Sequence, residues 1–220
     1  MLHIFILKLK GAVLTVESWI AFISAALLIN ITPGPDILFI LSKSSRSGKK
    51  SAFWGGLGLW TAALTHVTAV AIGLSAVIFA SQTLFTIIKY IGAVYLIWLG
   101  LKLFFSSQNF LIASQVAEGQ FKSFITGFFV NISNPKAALF FIAFLPLFIH
   151  GDDTHPQIQM FILGVLVVIV KILVELILIF CSSYISDIFT KNEKLAKMIS
   201  KITSLFFIGF GLQLLILRKP

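Results

Sequence analysis

Two charged residues stand where a charge is hardest to keep. Asp36 and Lys136 each follow a proline, Pro35 and Pro135, inside long apolar runs. Charges in such surroundings are costly and mark candidate functional sites. Their opposite signs suit a zwitterion, with an ammonium approaching Asp36 and a carboxylate approaching Lys136. The other reading is a fixed Asp36–Lys136 salt bridge that only holds a core together. Residue types alone leave both open. Lys171 and Glu175 are four apart and can pair on one helical face, as a structural ion pair first and a proton relay second. His66 poses a similar choice between proton carrier and packing residue. The four histidines, at positions 3, 66, 150 and 155, are scattered, and no Ser/His/Asp or metal-ligand spacing is present. The expectation is a protein that is not an enzyme and carries no metal or cofactor.

The prolines determine how these residues are presented. Proline inside a helix removes one hydrogen-bond donor and clashes with the preceding turn. Pro35 should free the carbonyl of Ile31, and Pro135 that of Asn131. Thr32-Pro33 and Asn134-Pro135 also read as restart signals, a cap followed by proline at the first helical position. Each break would present a half-helix N-terminus, which favours a carboxylate. The candidate substrate and coupling set is therefore Thr32, Pro33, Gly34, Pro35, Asp36, Asn131, Asn134, Pro135 and Lys136. Simple kinks in packed helices are the bland alternative, and two breaks at matching places weaken it.

A soluble chain of 220 residues needs a charged surface. With 11% charged and 58% hydrophobic residues, this one cannot make it. Its mean hydropathy is +1.02. A bilayer core needs about 20 apolar residues in helical form, and six stretches qualify: 19–41, 52–79, 84–105, 121–149, 157–184 and 199–217. The net charge of +9 comes from lysines in short connections, where they set orientation, so nucleic acid is not an expected partner. Cys181 is the only cysteine. It lies in an apolar run and is expected to pack.

The fold class expected is thus all-α and integral to the membrane, with proline-broken first and fourth spans. Residues 1–13 form an N-terminal extension, 14–105 a first three-helix repeat, 106–120 a polar connecting loop and 121–220 a second repeat. Asn30-Ile31 in one half answers Asn131-Ile132 in the other. Three spans per half force the second copy to enter from the opposite side, the inverted-repeat plan of many transporters. Lys43, Arg46, Lys49 and Lys50 after span one, and Lys191, Lys194, Lys197 and Lys201 before span six, share a side. Asp152 and Asp153 lie on the other. The positive-inside bias puts the lysines in the cytoplasm and both termini outside. Gly55, Gly56 and Gly58 permit close helix approach.

Several motifs together resemble one family. Thr32-Pro33-Gly34-Pro35 followed by a polar residue is similar to the first-span signature of the LysE/RhtB amino-acid exporters. Gly48, Lys49, Lys50, Gly58 and His66 follow in order, then Lys89 to Leu96 through Gly100 and Lys102. In the second half Gly127-Phe128, Asn131, Asn134 to Ala138 and Phe144-Leu145-Pro146 fit as well. The likeness spans residues 15–217. It implies secondary-active, proton-driven export of amino acids or close derivatives across the bacterial inner membrane, with the lipid bilayer and a small-molecule substrate as partners and a homo-oligomer left open. Ala62, Ala63 and Leu147 depart from the family's pattern, which bears on the substrate. Two other classes compete. A cation exporter of the wider superfamily would need more intramembrane carboxylates. A membrane thiol-electron carrier would need two cysteines.

Overall fold

The computed structural model describes residues 16–80, 82–105, 119–149, 155–182 and 193–216. Every described element is helical: α1 (Val16–Ile31), α2 (Pro35–Ala80), α3 (Gln82–Phe105), α4 (Gln120–Ile132), α5 (Pro135–Phe144) with a 3₁₀ turn (Leu145–Phe148), α6 (Pro156–Phe180) and α7 (Glu193–Ile216). The expected extension 1–13, most of the 106–120 loop and the Asp152–Asp153 connection lie outside the described residues.

Both proline breaks are present. Ser18–Ile31 meets Pro35–Ser45 at 52°, and Gln120–Ile132 meets Pro135–Phe144 at 52°. Each bent pair is long and apolar enough to cross a membrane as one broken span, and Ser47–Gly73 and Pro156–Phe180 each suffice alone. That makes up to four crossings by length and composition among the described residues. α3 contributes only a shorter apolar stretch, Tyr90–Lys102, and α7 opens with Glu193, Lys194, Lys197 and Lys201.

The first break restarts later than its sequence suggests. Helix resumes at Pro35 rather than Pro33, and the Thr32 hydroxyl donates back to the Leu28 carbonyl one turn earlier. Serine and threonine can bond backward in this way and so do not cap forward. At the second break Asn134 is the cap, its Oδ1 accepting from the Lys136 N–H at 3.0 Å, as Asn-Pro predicts.

The lysine-rich connection after span one is not a loop. The chain stays helical through residues 42–51 and turns only at Gly48, where φ is +84°. Glycine reaches that region without a Cβ penalty. Lys43 is consequently fully buried and does not count as a solvent-facing orientation signal. The Lys49 ammonium donates to the Phe180 carbonyl at 2.8 Å, satisfying one of the open acceptors at the end of α6. Cys181 caps that same end and is exposed, contrary to the packing role expected from its apolar neighbours.

With little hydrophobic drive between helices in lipid, close packing by small residues holds such bundles. A Cβ added to Gly58 would lie 2.0 Å from the Phe124 carbonyl, and one on Gly127 would lie 2.1 Å from that of Gly55. Gly56 instead faces the ring of Trp60 in its own helix. These contacts also fix directions. Ser51 pairs with Ser123 and Gly55 with Gly127, so the part of α2 after Gly48 runs parallel to α4. Trp60 meets Glu175 and Val67 meets Gly164, so the same stretch is antiparallel to α6. Gly100 abuts Ile208 and Gly211 abuts Ile97, making α3 and α7 antiparallel.

Candidate functional site

The two breaks face each other, and each sends its post-proline residue into the other. Asp36, second in α2, accepts from Asn131 Nδ2 at 2.9 Å and from Asn134 Nδ2 at 2.9 Å, both at the second break. Lys136, second in α5, donates from Nζ to the Thr32 carbonyl at 3.0 Å at the first break. Gly34 eases its approach, because a Cβ there would lie 3.2 Å from that ammonium and press the lysine aside by a few tenths of an ångström. Pro33 is buried, while Pro35 and Pro135 start their helices from exposed positions.

The ion pairing departs from a simple Asp36–Lys136 bridge. The Lys171 ammonium contacts Asp36 and also Glu175 at 2.6 Å. The expected local pair on α6 is therefore real, and it is also the link to Asp36. Two carboxylates and two ammonium groups sum to zero formal charge, which lets four ionised groups persist in a buried place.

His66 is half-buried behind this layer, its Nε2 3.3 Å from the Asn131 carbonyl. That carbonyl also receives the Asn134 N–H at 2.9 Å, so the acceptor expected to be free at Pro135 is closed. Two residues escaped the sequence reading. Trp60 donates from Nε1 to Glu175 at 2.6 Å, and only its neighbouring glycines marked that stretch as close-packed. Asn30 donates to the Ala26 carbonyl at 2.8 Å and reaches the Val167 carbonyl at 3.5 Å. The match of Asn30-Ile31 with Asn131-Ile132 was the signal that could have found it.

The charged groups and the amides of the two breaks surround a cavity of about 30 Å³, lined by Asn30, Asp36, Asn131, Asn134, Lys136, Lys171 and Glu175 together with apolar side chains. That volume holds one or two waters and no amino acid, so the cavity has to widen to take one. The Asn131 Oδ1 is buried with no hydrogen-bond partner, an open acceptor in the cavity wall. Among the described residues no group of histidine, cysteine and carboxylate side chains could hold a metal.

Paired broken helices around a small charged cavity, with helices apolar enough to cross a membrane, define the class as a helical membrane protein. Comparison with known proteins agrees. The family model for the LysE type translocator matches residues 17–218, and the chain belongs to that family. It is 35% identical over 208 residues to the uncharacterized membrane protein YrhP of Bacillus subtilis, covering 90% of this chain and 98% of that one. It is 26% identical over 206 residues to a leucine efflux protein of Klebsiella pneumoniae, covering 93% and 97%. A leucine efflux protein of Salmonella typhimurium is 27% identical over 200 residues, covering 90% and 94%. No solved structure matches the chain. Family membership makes this protein a membrane translocator with a small-molecule substrate, embedded in lipid.

Proposed function

We propose that this protein is a secondary-active exporter of amino acids with apolar side chains, leucine among them, across the bacterial inner membrane and driven by protons. The observation that carries the reading is the neutral set of opposed charges at the two breaks. A zwitterion needs a carboxylate for its ammonium and a cation for its carboxylate. Asp36 and Lys136 supply these beside one cavity, with the half-helix start at Pro135 adding a partial positive charge near Lys136. Much of the remaining lining is apolar, with Ile29, Ile37, Ala63, Phe140, Phe141 and Val167, which suits an aliphatic side chain. The leucine efflux relatives point the same way.

The translocation path requires alternating access, and the fold proposed for it is six spans in two inverted three-helix repeats with both termini outside. The two equal bends support it. So do the helix directions, since consecutive crossings make spans two and four parallel, two and five antiparallel, and three and six antiparallel.

Metabolite profiling of medium from deletion and overexpression strains tests the function. Extracellular leucine, isoleucine or valine should rise with expression and fall on deletion. A medium unchanged in amino acids but altered in a metal cation would favour the cation-exporter reading instead.

A further inference from the structure

Lys171 is the only cation seen to contact either carboxylate among the described residues, and it contacts both. The remaining ligands of Asp36 are neutral amides, so Lys171 fills its one ionic position. The other oxygen of Glu175 is held by Trp60 at 2.6 Å, which keeps that carboxylate fixed one helical turn from Lys171. Beside Asp36, the buried Asn131 Oδ1 has no donor, although Asn131 is only 1% exposed. An ammonium bound at Asp36 could donate to both. Lys171 satisfies the first and leaves the second open, and the cavity around it has room for no amino acid.

We infer that the Lys171 ammonium is a tethered competitor of the substrate ammonium: it holds Asp36 together with Glu175 in this structure, and it releases Asp36 while keeping Glu175 when an amino acid binds. This rests on the amino-acid reading above and deepens it. Substrate takes Asp36 and Asn131 Oδ1, while Lys171 keeps one full ionic partner throughout. No charge is stranded in the bilayer at any point, which a single carboxylate could not ensure. Part of the binding energy is then spent on displacing Lys171, and the apparent affinity is lowered by the fraction of time Asp36 is occupied.

The competitor can be removed without unbalancing the site. Lys171→Ala/Glu175→Gln deletes one charge of each sign and leaves Asp36 and Lys136. In proteoliposomes loaded with leucine, its counterflow should half-saturate at a leucine concentration lower than wild type by about tenfold. Added methylammonium, a mobile replacement for the lost group, should then inhibit the double variant competitively and leave wild type unaffected. A purely structural bridge predicts the opposite, since loosening α6 should weaken binding. Half-saturation unchanged or raised in monodisperse double variant overturns the inference. Lys171→Gln/Glu175→Gln, which keeps side-chain length and hydrogen-bonding amides, gives the same reading if the alanine variant does not fold. Wild-type vesicles without leucine counterflow would overturn both this inference and the function it rests on. Active wild type with a weakened variant overturns this inference alone.

Discussion

Neutralising Asp36 removes the acceptor on which Asn131, Asn134 and Lys171 converge. Lys171 would retain Glu175, so Asp36→Asn is expected to insert and fold while losing the charge proposed to receive the substrate ammonium. A lost charge-assisted hydrogen bond amounts to about 2 kcal/mol, or roughly thirtyfold in affinity. Binding of leucine to detergent-purified protein, followed by calorimetry, should weaken by at least that factor. Trp60→Phe makes a different prediction, because Trp60 does not line the cavity and its indole N–H is bonded to Glu175. It should lower the thermal midpoint, through one buried carboxylate oxygen left short of a donor at about 1–3 kcal/mol, with little change in leucine affinity. A loss of affinity as large as that of Asp36→Asn would place Trp60 in the site itself. Asp36 and Lys136 were legible in the sequence because charges beside intramembrane prolines are conspicuous. The partner of Asp36 was not, since Lys171 is 135 residues away, and its spacing from Glu175 suggested a self-contained local pair.

At the scale of the helices, two glycines are irreplaceable for different physical reasons. Gly58→Ala would set a Cβ 2.0 Å from the Phe124 backbone carbonyl, forcing α2 and α4 apart at an overpacking cost of about 1–3 kcal/mol. Gly48→Ala meets nothing within 4 Å but must hold φ at +84° and ψ at 164°, a region essentially confined to glycine that costs other residues about 1–3 kcal/mol. Both should reduce the thermal midpoint of purified protein, whereas Gly73→Ala, in open helical space, should leave it unchanged or raise it. Equal midpoints for all three would contradict the packing described. The breaks themselves could be read ahead, because proline chemistry is local. Their ends could not be read to the residue: Thr32 turned backward to Leu28 instead of capping forward. The corner at Gly48 was missed for a related reason. Polar residues at 42–51 look like a loop, yet a single glycine turns the helix and buries Lys43 beneath it, with its ammonium 6.0 Å from the centre of the Phe39 ring.

For the whole molecule, a cavity too small for an amino acid has to widen on one side to admit one. Beyond the first break, α2 leads to a polar seal where Ser44 bonds Ser182 at 2.8 Å and the Ile179 carbonyl at 3.1 Å. Beyond the second, α5 leads to stacked rings, Phe140 on Phe144 at 4.5 Å and Phe144 on Phe22 at 5.5 Å. Burial of Lys43 removes one positive-inside signal but leaves Lys49 and Lys50 exposed, so the Gly48 corner is still expected in the cytoplasm. In a Cys181→Ala background, a membrane-impermeant maleimide should label Asp153→Cys in intact cells and spare Lys50→Cys until the cells are opened. The reverse pattern would invert the orientation.

Leucine counterflow in proteoliposomes, comparing wild type with Asp36→Asn/Lys136→Gln, tests most directly whether the paired breaks form the substrate site. The double variant keeps the site neutral and the Lys171–Glu175 pair intact, and counterflow needs no proton gradient, so neither misfolding nor lost coupling should silence it. Wild-type vesicles are predicted to accumulate labelled leucine against an internal unlabelled pool, and stable double-variant protein is predicted to show none. Near-normal counterflow by the double variant would mean that neither charge receives the substrate and that the amino acid binds elsewhere.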